Sequence, residues 1–167
     1  MKNISKIFTV LTMVLLLSCG GKEKKEEEFT LKKKAATETK AAKTENVVAS
    51  KRIDLVDKGV GPIKSVELPD KIDQAMVAKG QEIYNKMCTA CHRPHKKFIG
   101  PAQAGVLERR TPEWIMNMIL NPEVMIQKDP LAKDLLAEFN GAPMANQNLT
   151  QEEARAVLEY FRTLKVE

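Results

Sequence analysis

Hydrophobic positions fall into three regimes along the 167 residues. Ile7 to Leu17 is a short, largely apolar run. Residues 22–45 are almost entirely Lys, Glu, Ala and Thr, with Phe29 and Leu31 as the sizeable apolar side chains. Beyond residue 70, apolar residues recur at helical spacing. Ile72, Met76, Gly80, Ile83/Tyr84 and Met87 predict an amphipathic helix over 72–88, and Ala154, Val157, Leu158, Phe161 and Leu164 predict another over 151–165. Thr150 with Glu153 forms a capping box before the second, hydroxyl to the third amide and carboxylate back to the cap. Thr111-Pro112 and Asp129-Pro130 pair a capping side chain with proline at the first helical position, predicting helices at about 112–120 and 130–139. Asn121-Pro122 separates these two and begins a short turn of its own. No alternating strand pattern occurs in 70–167, so the body is all-α, about 98 residues long.

The low-complexity stretch cannot bury enough apolar surface to offset its ordering entropy. Residues 19–69 therefore read as a tether; as a flexible coil, 50 residues give an end-to-end distance of about 40 Å. Within it, 53–68 differs. Ile53, Leu55, Val56, Val60, Ile63, Val66 and Leu68 alternate loosely with polar residues around Gly59, Gly61 and Pro62, a pattern that suits an extended arm along the folded body.

Charge narrows the function. Net charge is +5, but residues 1–69 hold 14 Lys/Arg against 9 Asp/Glu, while 70–167 holds 13 of each. A nucleic-acid-binding domain carries its basic stripe on the folded body. This body is neutral, so nucleic acid is not the expected partner.

Lys2 and Lys6, the apolar run and Ser18-Cys19-Gly20-Gly21 describe an export signal over 1–18, too short to span a bilayer as a helix. Leu16-Leu17-Ser18-Cys19 resembles the lipobox of bacterial lipoproteins, which implies lipidation of Cys19. That places the domain in the cell envelope, periplasmic and lipid-anchored, without fixing which membrane.

One motif carries the chemistry. Cys88-Thr89-Ala90-Cys91-His92 is the C-x-x-C-H spacing of covalent haem attachment. Two thiols at i and i+3 share one helical face and can reach both vinyl groups on one porphyrin edge, while the adjacent imidazole addresses the iron. A zinc site from Cys88, Cys91, His92 and His95 would have to wrap one ion with eight residues, whereas zinc ligands usually come as two separated pairs. A thioredoxin-like pair would need a βαβ setting, and a structural disulfide would leave His92 without a role.

The second axial ligand must come from the far face of the ring. His95 is three residues from His92, a reach of about 10 Å at most, too short to round the porphyrin. Of eight Met, most lie at helical spacing and read as core filler. Met144 sits instead among breakers in Asn140-Gly141-Ala142-Pro143-Met144-Ala145 and is the leading candidate, with Met125 or an open position as alternatives.

With Gly80 and Tyr84 before the motif, Gly100-Pro101, Pro143-Met144, and Val157 and Tyr160 in the last helix, residues 79–165 resemble a class I bacterial cytochrome c. The resemblance implies four to five helices around one covalent haem c. It also implies close crossing of the first and last helices at Gly80, a Pro101 carbonyl for the second ring nitrogen of His92, and a Trp114 indole N–H for a haem propionate. Packing of Trp114 in the core is an equal alternative. Gln103 departs from the family, which often has Leu there; a polar side chain at that wall wants a partner, such as a propionate or water. Arg109-Arg110 could meet propionates or a partner, though adjacent charges are ordinarily solvated, and Lys96-Lys97 read as surface. The stretch from Arg109 to Pro122, with Gly61-Pro62-Ile63, is similar to lipoprotein cytochromes that accompany copper-dependent nitrous oxide reductases.

His/Met ligation fills both axial positions and raises the potential. The expected function is a one-electron carrier, not an enzyme, tethered in the envelope between a quinol-oxidising complex and a terminal reductase or oxidase. A five-coordinate peroxidase or gas sensor, or a fixed haem subunit of a larger respiratory enzyme, are the alternatives.

Overall fold

The structure is a computed structural model and describes residues 47–166. The export signal, Cys19 and the tether up to residue 46 lie outside the described residues. Five α-helices follow in order: α1 (Gln74–Met87), α2 (Pro112–Leu120), α3 (Pro122–Lys128), α4 (Pro130–Glu138) and α5 (Gln151–Thr163), with one 3-10 turn at Val106–Glu108. Among the described residues there is no strand, only an isolated parallel bridge between Asp54 and Arg110, and no helix is long and apolar enough to cross a membrane.

Local chemistry sets the boundaries. Thr111 and Asp129 cap their helices through Trp114 N and Ala132 N, each with proline in the first turn. The Thr150–Glu153 capping box opens α5. The first helix starts two residues later than the apolar spacing predicts, because the Asp73 carboxylate accepts from the amides of Ala75 and Met76 and fixes the cap there. The expected turn at Asn121-Pro122 is a full seven-residue helix.

α1 and α5 pack most extensively and cross at Gly80. A Cβ there would lie 1.9 Å from the Ala156 carbonyl oxygen, so only glycine permits this approach. Tyr84 fills the crossing, with ring centroids 5.4 Å from Tyr160 and 5.8 Å from Phe161. Buried Glu159 ties the helices together: it accepts from Asp73 N (3.0 Å) and forms ion pairs with Arg155 (2.6 Å) and Arg162 (2.8 Å).

The arm lies along the body, and its packing begins before residue 53: Ala49 is buried, and Ser50 donates through N and Oγ to the Glu138 carboxylate. Further along, fully buried Asn117 on α2 holds Ile63 by both its N–H and its carbonyl, and Lys58 by its carbonyl, all at 2.9 Å.

Candidate functional site

The motif Cys88–His92 is the unwinding end of α1. The Cys88 amide still donates to Tyr84 O, and the amides of Cys91 and His92 turn back to Cys88 O. Gly100 N then donates to Cys91 O, and the amides of Gln103 and Ala104 both donate to Pro94 O, which closes a compact loop around the imidazole. Gly100 packs on the ring: a Cβ there would sit 2.5 Å from His92 Cε1, so the loop needs glycine at this position.

Cys88, Cys91, His92, Pro101, Gln103, Arg109, Arg110, Trp114 and Met144 all line one predominantly apolar cavity, walled by α1, α2, α4, α5 and the 140s loop. Cys88 and Cys91 are not joined in a disulfide; Cys88 is half-buried and Cys91 exposed. Burial, with the neighbouring Cys91, pushes the Cys88 thiol up to about 11. The donors of the zinc alternative do not converge; among the described residues no three His, Cys, Asp or Glu gather as a metal site.

Burial holds the His92 imidazole below its usual range, outweighing the opposing hydrogen bond to Pro101, so the ring is neutral. Its Nδ1 lies 3.0 Å from Pro101 O, the contact that the resemblance implies. A ring whose Nδ1–H donates to a carbonyl presents the Nε2 lone pair to a metal. Gln103 finds its partner in this same pair, with Nε2 at 2.8 Å from His92 Nδ1 and 3.1 Å from Pro101 O.

Met144 is half-buried at the cavity wall. Met125, the alternative donor, is fully buried outside that wall, and its sulfur accepts from Val60 N at 3.0 Å. Met87 and Met118 also line the cavity, from the expected core faces of α1 and α2.

The cavity's polar groups fit a large, mostly apolar ring with acidic edges. Tyr84 Oη and Trp114 Nε1 are buried without a hydrogen-bond partner, and such groups ordinarily find one. The Trp114 ring belongs to the hydrophobic core, and its N–H lies within electrostatic reach of the Asp129 carboxyl but outside hydrogen-bond geometry. Arg110 reverses the expectation of a solvated charge. It is 3% exposed and donates to the carbonyls of Ala49, Arg52 and Arg109, yet forms no ion pair among the described residues. Its burial had no sequence signal, because the arm carbonyls that hold it come from more than fifty residues away. The carboxylates of Asp54 and Asp129 act on this guanidinium only from beyond ion-pair distance, which leaves room for a closer anion at the cavity.

Comparison with known proteins agrees with this chemistry. A family model described as "Cytochrome c" matches residues 77–165. The chain is 36% identical over 81 residues to cytochrome c2 of Rhodocyclus tenuis, covering 48% of this chain and 85% of that protein. It is 29% identical over 112 residues to cytochrome c2 of Rhodopseudomonas palustris, covering 53% and 97%. Among solved structures, cytochrome c from Rhodothermus marinus superposes with a TM-score of 0.61 at 43% identity, over 70% of this chain and 93% of that one.

Proposed function

Because the chain belongs to the cytochrome c family, a monohaem electron carrier and not an enzyme, we propose how its own residues carry that function. Cys88 and Cys91 would hold the covalent haem c through thioethers, and His92 and Met144, which line the same cavity, would bind its iron. When bound, the haem supplies one-electron exchange at iron. The carbonyl of Pro101 fixes the tautomer of His92, and Gly100 leaves room for the ring. Arg110 and Trp114, which line the cavity, would supply donors to the propionates. The observation that carries this reading is the convergence of Cys88, Cys91, His92 and Met144 on one cavity whose buried donors lack partners.

Exposed Cys91 and Ile99 line the cavity, where the ring edge would meet a redox partner. The resemblance of Leu16-Leu17-Ser18-Cys19 to a lipobox, behind an export-like signal, supports an envelope protein anchored by lipid. Its electrons would pass from a quinol-oxidising complex to a terminal reductase or oxidase, with a nitrous oxide reductase as one acceptor.

Met144→Ala tests the ligand assignment. The ferric protein should show the weak far-red sulfur-to-iron charge-transfer band, and the variant should lose it. A band of undiminished intensity in the variant moves the sixth ligand elsewhere. Intact mass of protein matured in its envelope should exceed the chain by one haem, and a Cys88→Ala/Cys91→Ala double variant should lack it.

A further inference from the structure

Gln103 is 9% exposed and makes a triangle with His92 and the Pro101 carbonyl: Gln103 Nε2 to His92 Nδ1 2.8 Å, Nε2 to Pro101 O 3.1 Å, and Nδ1 to Pro101 O 3.0 Å. A carbonyl oxygen only accepts, so both nitrogens beside it must point hydrogens at it. The amide is placed with its nitrogen toward Pro101 O; the reverse orientation would set its oxygen against that carbonyl at 3.1 Å while accepting from Nδ1–H at 2.8 Å, and it would reverse the sign of the effect on the imidazole. A histidine that gives Nε2 to a metal carries its hydrogen on Nδ1. Two N–H groups then share one oxygen, and the positive end of the Gln103 amide lies against the imidazole.

A carbonyl bonded to Nδ1–H raises the basicity of a ligating histidine. Sharing that carbonyl weakens the effect, and a positive dipole beside the ring withdraws electron density from it. Both consequences make His92 a poorer donor, and a poorer donor stabilises Fe(III) less than Fe(II). We infer that Gln103 is a positioning residue that limits the electron-donating strength of His92 through the shared Pro101 carbonyl and so raises the reduction potential of the haem. The inference rests on His92 being the axial ligand.

The test uses the holoprotein and three variants, Gln103→Leu, Gln103→Met and Gln103→Glu, with potential read by optically monitored titration. Proton NMR of the His92 ring in the reduced state is the second readout. Leu and Met remove the competitor, so the potential should fall and the Nδ1–H resonance should move downfield as its bond to Pro101 strengthens. Glu supplies a carboxylate that accepts from Nδ1–H and should lower the potential further. The sign is diagnostic, because a merely apolar wall disfavours the more highly charged ferric site and pushes the potential up. A rise in Gln103→Leu and Gln103→Met, or an unmoved Nδ1–H resonance, overturns the inference even if Gln103→Glu does not fold. Wild-type His92 ring protons lacking the large upfield shift of a ring seated over a porphyrin would instead refute the ligand assignment itself.

Discussion

Replacing Asn117 with Ala should detach the arm from the body. Its side chain makes three hydrogen bonds at 2.9 Å, from Nδ2 to the carbonyls of Lys58 and Ile63 and from Ile63 N to Oδ1. Each such bond contributes about 1 kcal/mol net, and each buried group left unpaired costs about 1–3 kcal/mol. Ile63 is buried, so its N–H and C=O both become orphans while the arm stays in place. The clasp should therefore cost about 3–5 kcal/mol, a large share of the ~5–15 kcal/mol that stabilises a typical domain. Gly61, which packs so close to Asn117 that a Cβ would stand 2.3 Å from its Oδ1, carries no side chain with which to refill the gap. The measurement is amide hydrogen exchange at Ile63 together with urea unfolding of the holoprotein. Exchange at Ile63 should accelerate more than at the α1–α5 crossing, since the arm can open without unfolding the body. Asn117→Asp keeps the acceptor for Ile63 N but sets a carboxylate against two carbonyls, and it should behave as badly. A loss below ~1 kcal/mol in Asn117→Ala, with wild-type protection at Ile63, would show that the arm is held by something other than this side chain.

Gly80→Ala should lower the melting temperature sharply, since contact distances of 1.9 and 2.5 Å to the Ala156 carbonyl force α1 and α5 apart; the expected cost is at least ~2 kcal/mol by thermal unfolding. Glu159 gives an acid dependence. Burial alone would raise its pKa, but the Asp73 amide and the Arg155 and Arg162 guanidiniums outweigh it and hold it below the usual range. Its contribution is then complete above the unfolded carboxylate pKa of about 4.3 and lost as pH falls through the lower folded value. Glu159→Gln should be less stable than wild type at neutral pH, and the gap should narrow on acidification; a gap independent of pH argues against the ion-pair account. Arg110→Met should expose the amides around residues 49–54 to exchange and lower the haem potential, because a cation beside the iron site disfavours the ferric charge.

What the sequence made legible was mostly local. Caps and prolines placed α2, α4 and α5 to within two residues, because a capping side chain and the helix it starts are neighbours in the chain. The same holds for Cys88, Cys91 and His92, whose spacing is itself the signal. Pro101 was reachable only through the family resemblance; its carbonyl stands 3.0 Å from His92 Nδ1. Gln103 was visible as a polar residue on an apolar wall, but its partner was not, since that depends on how the loop from Cys91 to Ala104 folds back on Pro94. Arg110 misled for the complementary reason: charge content says nothing about burial when the stabilising carbonyls arrive from Ala49 and Arg52.

These long-range ties converge on one wall of the haem cavity. Arg110 and Trp114 line it from α2 and the residues just before it, with the guanidinium 5.4 Å from the indole centroid. The arm fixes both: it accepts from Arg110 at residues 49 and 52, and its Gly59 backbone lies where a Cβ would touch Trp114 and Met125. Arm and wall are therefore one mechanical unit, held by Asn117 at one end and by Ser50 on Glu138 at the other. The Cys88–His92 loop, by contrast, closes its own hydrogen bonds within residues 84–104. Attachment of the haem and adjustment of its acidic edge thus depend on separate parts of the molecule. Arm variants should shift potential without losing the covalent cofactor.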